Sequence, residues 1–475
     1  MYVVTAPMPT LPRETGWLLI VAYLLGLVML LTAGIYDGPF AELSLLLVLA
    51  CAALLAIQFA RLFRRRQLTS VPARGTLLIA VIALTVFVAA TLADARLLID
   101  TSVSPRLIHI TEVAQLFLLG SYLPAILFGK RESHHWIEVR FALFAVCLLA
   151  GGMSVLSLSP HPHIDVFTFH TEAAKALLRG ENPYLLEMPE TGPTKLTLGF
   201  VYPPTPAYFT LAGLAIGGDV RWAMLAALLV TGISIRFIAR AGVRKVAKGA
   251  DPSAAQSLPA FAEDVSCLVL WLTPKAYFFI EQSWNDIFPV ALVAVSLLAH
   301  THDRRRLSAF FLGLALSAKQ TMVLLIPLAI LLEFQIVEWA VFLGTAAIMV
   351  VPLALWDFAA FNRMVILLQG QLPPRADGLN PMNWLYRHFG LVPRGVTGIS
   401  LAAVTSGLAA WRAPRTRHAF ALSTAVVFFG FYVFNKWTFM NYYFFLTGVA
   451  SLAAAVAIGQ RFERSSSKGP SHVAP

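Results

Sequence analysis

The stretch WLLIVAYLLGLVMLLTA, Trp17–Ala33, contains no charged side chain and no proline. Wound as an α-helix it extends for about 25 Å, against a bilayer hydrocarbon core about 30 Å thick. Its apolar residues run without a break, so every face of the helix is apolar. That suits lipid or packed neighbouring helices, not the half-wet surface of a soluble domain. Arg13 is the only early cation and no cleavable signal pattern is recognisable, so the segment is expected to stay as a first transmembrane helix.

Blocks of the same kind recur along the chain. After 17–35 they fall at 43–60, 76–93, 110–128, 141–158, 220–238, 263–279, 286–301, 307–319, 321–335, 337–356, 396–411, 419–435 and 440–459. The expected fold is an all-α polytopic bundle of about 12–14 spans. Of the 475 residues, 58% are hydrophobic and only 13% charged, with a mean hydropathy of +0.72. Soluble domains carry roughly twice that charged fraction. The expected organisation is one integral membrane domain over 1–460, followed by a disordered cytoplasmic tail at 461–475.

A net charge of +11 invites nucleic acid as a partner, but the distribution of the cations excludes it. They gather between spans: Arg61, Arg64, Arg65, Arg66 and Arg74; Lys130, Arg131 and Arg140; Arg236, Arg240, Arg244, Lys245 and Lys248. Arg304, Arg305 and Arg306 follow, then Arg412, Arg415 and Arg417, and finally Arg461, Arg464 and Lys468. With both termini cytoplasmic, all of these clusters fall on the cytoplasmic side, as the positive-inside rule requires. The same count makes Thr205–Gly217 too short to cross, so it is expected to be re-entrant or interfacial, with the next crossing starting near Arg221. Cys51, Cys147 and Cys267 lie within apolar blocks at spacings that fit neither disulfides nor a zinc site.

Polarity concentrates in two long segments on the other side, an outer loop at 159–219 and a second at 357–393. The first begins HPHIDVFTFHTEAAKALLRGENPY, His161–Tyr184, and continues to VYPPTPAYF, Val201–Phe209. From Asp165 a helix is expected to run to a stop at Gly180. Val166, Phe169, Ala173 and Leu177 share its apolar face, opposite Glu172, Lys175 and Arg179, so it is expected to lie on the membrane surface. Asn182-Pro183 and Pro203-Pro204 set two turns.

This block resembles the class C (GT-C) membrane glycosyltransferases, which take sugars from polyprenyl-phosphate carriers. The resemblance rests on a span followed by an outward Asp165, the helix ending LLRGENPY, the YPP turn at Tyr202–Pro204, and a short apolar helix. LTPKAYFFIEQSWNDIF (Leu272–Phe288), GLALSAKQTMVLLIPLAIL (Gly313–Leu331) and KWTFMNYYFFL (Lys436–Leu446) are similar to later pieces of the class. Together they touch much of Ser157–Gly459 and none of the first four spans. The resemblance implies a mannosyltransferase-like, inverting transfer at the extracytoplasmic face of the cell membrane. The donor would be a polyprenyl-phosphate sugar, the acceptor a glycolipid, glycan or protein, and no cofactor would be needed. It also implies that Asp165 is the general base.

Each candidate residue has a plainer role beside its chemical one. Asp165 also suits a helix N-cap. His161, His163, Asp165 and His170 have the density of metal ligands, but the class does not generally require a metal; His163 or His170 orienting Asp165 fits better, and a solvated loop histidine better still. Lys319, between two short apolar helices, needs a partner, and a lipid phosphate is the natural one; snorkelling to headgroups is the alternative. Lys436 and Arg375 are candidates for the same phosphate. Tyr202 belongs to the YPP turn, while Glu281 and Asp286 flank Trp284 and suit either sugar hydroxyls or a solvated turn. A lipid-linked-glycan flippase is the alternative function, although the spans carry almost no charge at their middles, where transporters place it. An O-antigen ligase or polymerase shares the architecture and would use a late outer loop, where Arg375, Arg387 and His388 lie.

Overall fold

A computed structural model describes residues 10–32, 40–63, 70–93, 106–128, 132–162, 164–189, 197–247, 261–274, 276–392 and 394–467. It is a helical bundle with two minor two-stranded pairings, Thr10–Pro12 with Ser70–Pro72 and Met188–Pro189 with Thr197–Leu198. Eight described helices are long and apolar enough to cross a membrane: Arg13–Thr32, Ala41–Leu62, Ala73–Ala93, Arg106–Phe128, His134–Leu158, Arg221–Ala241, Ile336–Trp356 and Met440–Gln460. Ile287–Thr301, Gln320–Leu332 and Arg417–Val433 are shorter apolar helices between them.

The last helix is the central pole. Its apolar window is 94% buried, whereas Ala73–Ala93 and Ile336–Trp356 are mostly uncovered. The reason is side-chain size. Ala450, Ala453, Ala454 and Ala455 let neighbouring backbones approach closely, which is how helices pack where the surroundings are as apolar as leucine. The first helix and Arg221–Ala247 lie against this pole. Conversely Ile79, Phe117, Ile348, Leu355 and Val404 stand exposed on outward faces, where only a lipid-like environment would cover them.

Connectivity orients the ends. The His134–Leu158 helix finishes where Arg221–Ala247 starts, because Arg221 Nη1 donates to the Ser159 carbonyl at 2.7 Å and Nη2 to that of Leu156 at 3.3 Å. Between them the Pro204–Gly217 helix starts at Ser317, where Thr205 N donates to the Ser317 carbonyl, and ends against Val220 and Ala223. At 14 residues it is shorter than the eight long apolar helices. Arg236, Arg140 and Arg240 lie towards the opposite end of the His134–Leu158 and Arg221–Ala247 helices, where they are mostly buried. Arg236 bonds Asp264 at 2.6 Å and Glu138 at 2.9 Å, Arg140 bonds Glu132, and Arg240 bonds Glu138. The cations read as loop charges thus include a buried ionic network.

One element differs in its surroundings. The amphipathic helix Asp165–Leu178 does end before Gly180, at φ +70°, and its Phe169 and Ala173 are buried within the protein. Phe169 and Ala173 join a second apolar core with Tyr184, Phe200, Phe361 and Met364. An apolar stripe specifies only that something apolar covers it, and here the chief neighbours are the Pro204–Gly217 helix and the turn at Pro183–Leu185. Helical backbone also runs on to Ser467. The rest of the tail lies outside the described residues.

Candidate functional site

A cavity of about 920 Å³ opens at the end of the bundle that carries Asp165. Asp165, Tyr202, Asp286, Lys319, Arg375 and Lys436 all line it, drawn from five separate stretches of sequence. Three packing devices bring them together.

The first is the pair of proline turns. The Asn182 side chain accepts from Tyr184 N at 3.0 Å, which closes the NPY turn and aims the Tyr184 ring inward. Tyr184 Oη then donates to the Tyr202 carbonyl at 3.0 Å, and Phe200 N donates to the Pro183 carbonyl at 3.0 Å. Gly199 sits between them. A Cβ there would stand 2.4 Å from the Tyr184 carbonyl oxygen, so the close approach of the two turns requires glycine. The ENPY and YPP motifs are one clamp, and its product is the position of Tyr202.

The second device docks that clamp on Lys319. Gln320 Nε2 donates to the Val201 carbonyl at 2.8 Å, and the Thr205 and Ser317 hydroxyls bond at 2.7 Å. The third stitches the segment 370–380 to the residues before the last helix. Lys436 Nζ donates to the Leu372 carbonyl at 2.6 Å, and Trp437 Nε1 to that of Pro373 at 2.7 Å. Asn380 Nδ2 reaches Thr438 Oγ1 at 2.7 Å. Arg375 thereby lies over the ring of Phe439, 4.7 Å from its centroid.

Asp165 is the first residue of its helix, and its Oδ1 accepts from Val166 N at 2.8 Å. Burial pushes its carboxyl above the ordinary carboxylate range, while that backbone bond and the charge of Arg375 pull the other way. A carboxylate held so is more basic than one in water. Tyr202 lies within electrostatic reach of both Asp165 and Asp286.

The cations divide into two kinds. Lys319 pairs with Asp286, and its ammonium lies 4.7 Å from the Tyr442 ring centroid and 5.7 Å from that of Tyr432. Its partner is therefore within the protein. Lys436 has no carboxylate within 4 Å among the described residues; two carbonyls hold it, and burial lowers its pKa. Arg375 bonds Asp377 at 2.6 Å at a third to two-fifths exposure, where pairing is weak.

Two expected residues lie off the cavity. His170 is fully buried, and its ring stacks on Tyr202 with centroids 5.4 Å apart and planes 6° off parallel. Burial drives its pKa down to about 3, so it is a neutral support under Tyr202. Glu281 is buried among helices and does not line the cavity. His163 lies outside the described residues. The sequence left several cavity residues unread, Asn441, Asn285 and Gln320 among them. Asn441 Nδ2 donates to Asp286 Oδ2 at 2.8 Å, and Asn285 and Gln320 line the same wall. An asparagine beside two tyrosines at the head of an apolar helix was the available signal for Asn441.

No family model matches this chain, and no curated protein or solved structure matches it either.

Proposed function

We propose that this chain is a GT-C-like membrane glycosyltransferase, moving mannose or a similar sugar from a polyprenyl-phosphate carrier to a glycolipid, glycan or protein acceptor at the extracytoplasmic face. The observation that carries the proposal is the meeting of one partly desolvated carboxylate, Asp165, with Arg375 and Lys436 in a single large cavity at one end of a helical bundle.

The transfer requires a base on the acceptor and a holder for the leaving group, and the two sides of the cavity can supply both. Asp165 takes the proton from the acceptor hydroxyl as that oxygen forms its bond to the anomeric carbon. The bond from the anomeric carbon to the phosphate oxygen breaks on the opposite face, and its electron pair leaves with the lipid phosphate. The sugar is inverted. Lys436 and Arg375 offset the charge that grows on the phosphate, which therefore needs no acid to protonate it. The proton on Asp165 then passes to water. A positioned base contributes about 10²–10⁴-fold to such a rate.

The alternative of a lipid-linked-glycan flippase predicts movement without bond cleavage. Purified protein incubated with polyprenyl-phosphate sugars and candidate acceptors separates the two. Release of free polyprenyl phosphate supports the transferase. Transbilayer movement of intact labelled lipid with no release refutes it.

A further inference from the structure

Resting on that reading of the cavity, we infer that Lys319, Asp286 and Asn441 form the pocket for the sugar ring of the donor, and that the lipid phosphate binds apart from them, at Lys436 and Arg375.

The two groups of polar residues that line the cavity differ in charge. In one, Asp286 is 1% exposed and both carboxylate oxygens are taken, Oδ1 by Lys319 and Oδ2 by Asn441. An ammonium already neutralised by a buried carboxylate offers a phosphate dianion little net attraction, and the carboxylate beside it repels that dianion. In the other, Lys436 is held by neutral carbonyls alone, and Arg375 leans on a partly exposed Asp377. Among the described residues, the cavity cation that meets no carboxylate within 4 Å is therefore Lys436, and the Arg375 pair is partly exposed.

What the paired group offers is suited to an uncharged polyol. A sugar hydroxyl both donates and accepts, and the ammonium of Lys319 carries two N–H groups beyond the one directed at Asp286. Asn441 and Asn285 add amides, and the Asn285 nitrogen has no hydrogen-bond partner among the described residues. The Tyr442 and Tyr432 rings, stacked on each other with centroids 4.5 Å apart, stand beside the pair and supply the apolar flank on which the C–H face of a pyranose packs. Asp165 and Tyr202 line the same cavity as this pair, so a sugar bound here shares the cavity with the base.

Binding measurements on the full-length protein in lipid nanodiscs test this. The probes are undecaprenyl phosphate and the same lipid bearing mannose, glucose or a pentose. Wild type is expected to bind one sugar-bearing lipid more tightly than the bare phosphate. Lys319→Met and Asn441→Ala should weaken the sugar-bearing lipid by roughly tenfold or more and leave the bare phosphate within about twofold. Lys436→Gln should weaken both. Asn441→Ala leaves the buried ion pair intact, so it decides the matter if Lys319→Met fails to fold. Equal loss of both lipids in the Asn441 and Lys319 variants overturns the sugar pocket and leaves the transferase standing. So does a wild type that binds no sugar-bearing lipid more tightly than the bare one. A wild type that binds none of these lipids removes the functional proposal and the pocket together.

Discussion

Removing Lys319 strands Asp286, and the size of that effect follows from burial. The carboxylate is 1% exposed and the ammonium 7%, so neither can recover its hydration by a small movement. Breaking such a pair by deleting one partner typically costs about 3–5 kcal/mol, because the other charge stays buried without its counterion. Lys319→Met and Asp286→Asn should each cost about that much. Asn441 would still donate to Asp286 in the first variant, which places it near the lower figure. The double variant removes both charges and keeps the volume, so it should cost less than the sum of the singles by about 2 kcal/mol or more. The assay is denaturant unfolding of the full chain in mixed micelles, followed by tryptophan fluorescence, for wild type, both singles and the double. Additivity within about 0.5 kcal/mol would refute the claim that these two side chains neutralise each other in a water-poor site.

His170→Phe should flatten the acid side of the stability profile. The native imidazole titrates at about 3 and the unfolded one near 6.5, so the unfolded chain binds more protons between those values. Stability from this group is whole above pH 6.5 and falls by roughly 1.4 kcal/mol per pH unit below it. The difference in unfolding midpoint between pH 7.5 and pH 5 should shrink in the variant, and an unchanged difference contradicts a neutral buried histidine. Arg375→Gln should move the acid limb of kcat/KM to higher pH, because the arginine charge pulls the Asp165 carboxyl down against burial; a limb that stays in place removes that coupling. Gly313→Ala should destabilise the hairpin between Arg305–Leu316 and Ile336–Trp356, since the new Cβ would stand 2.4 Å from the Phe342 carbonyl oxygen. Its cost of about 1–3 kcal/mol is read in the same unfolding assay, and a variant as stable as wild type refutes the close contact.

The eight long helices were legible because apolar blocks such as Trp17–Ala33 leave no polar face to argue over, whereas the expected span at 263–279 is two short helices, Phe261–Trp271 and Ala276–Glu281. The short Pro204–Gly217 helix was also legible as an element too brief to cross, between two proline-marked turns and Arg221. Partnerships were not. Lys319 clearly needed a counterion, but Asp286 lies 33 residues before it and Asn441 a further 155 away from Asp286, and nothing local joins them. The amphipathic helix from Asp165 displayed its stripe without naming what would cover it. His170 looked like a ligand because histidine is versatile, and only its stacking on Tyr202 shows it as packing. Asp165 and Tyr202 were singled out by the resemblance and Arg375 and Lys436 as cations on the outer side, and the fold brings these four to one cavity.

The most direct test of the central claim is single-turnover release of polyprenyl phosphate by Asp165→Asn, a change that keeps the side chain's shape and removes its basicity. With wild-type unfolding behaviour and wild-type donor binding verified, the rate should fall by about 10²–10⁴-fold. Release at the wild-type rate would mean that Asp165 takes no proton from the acceptor.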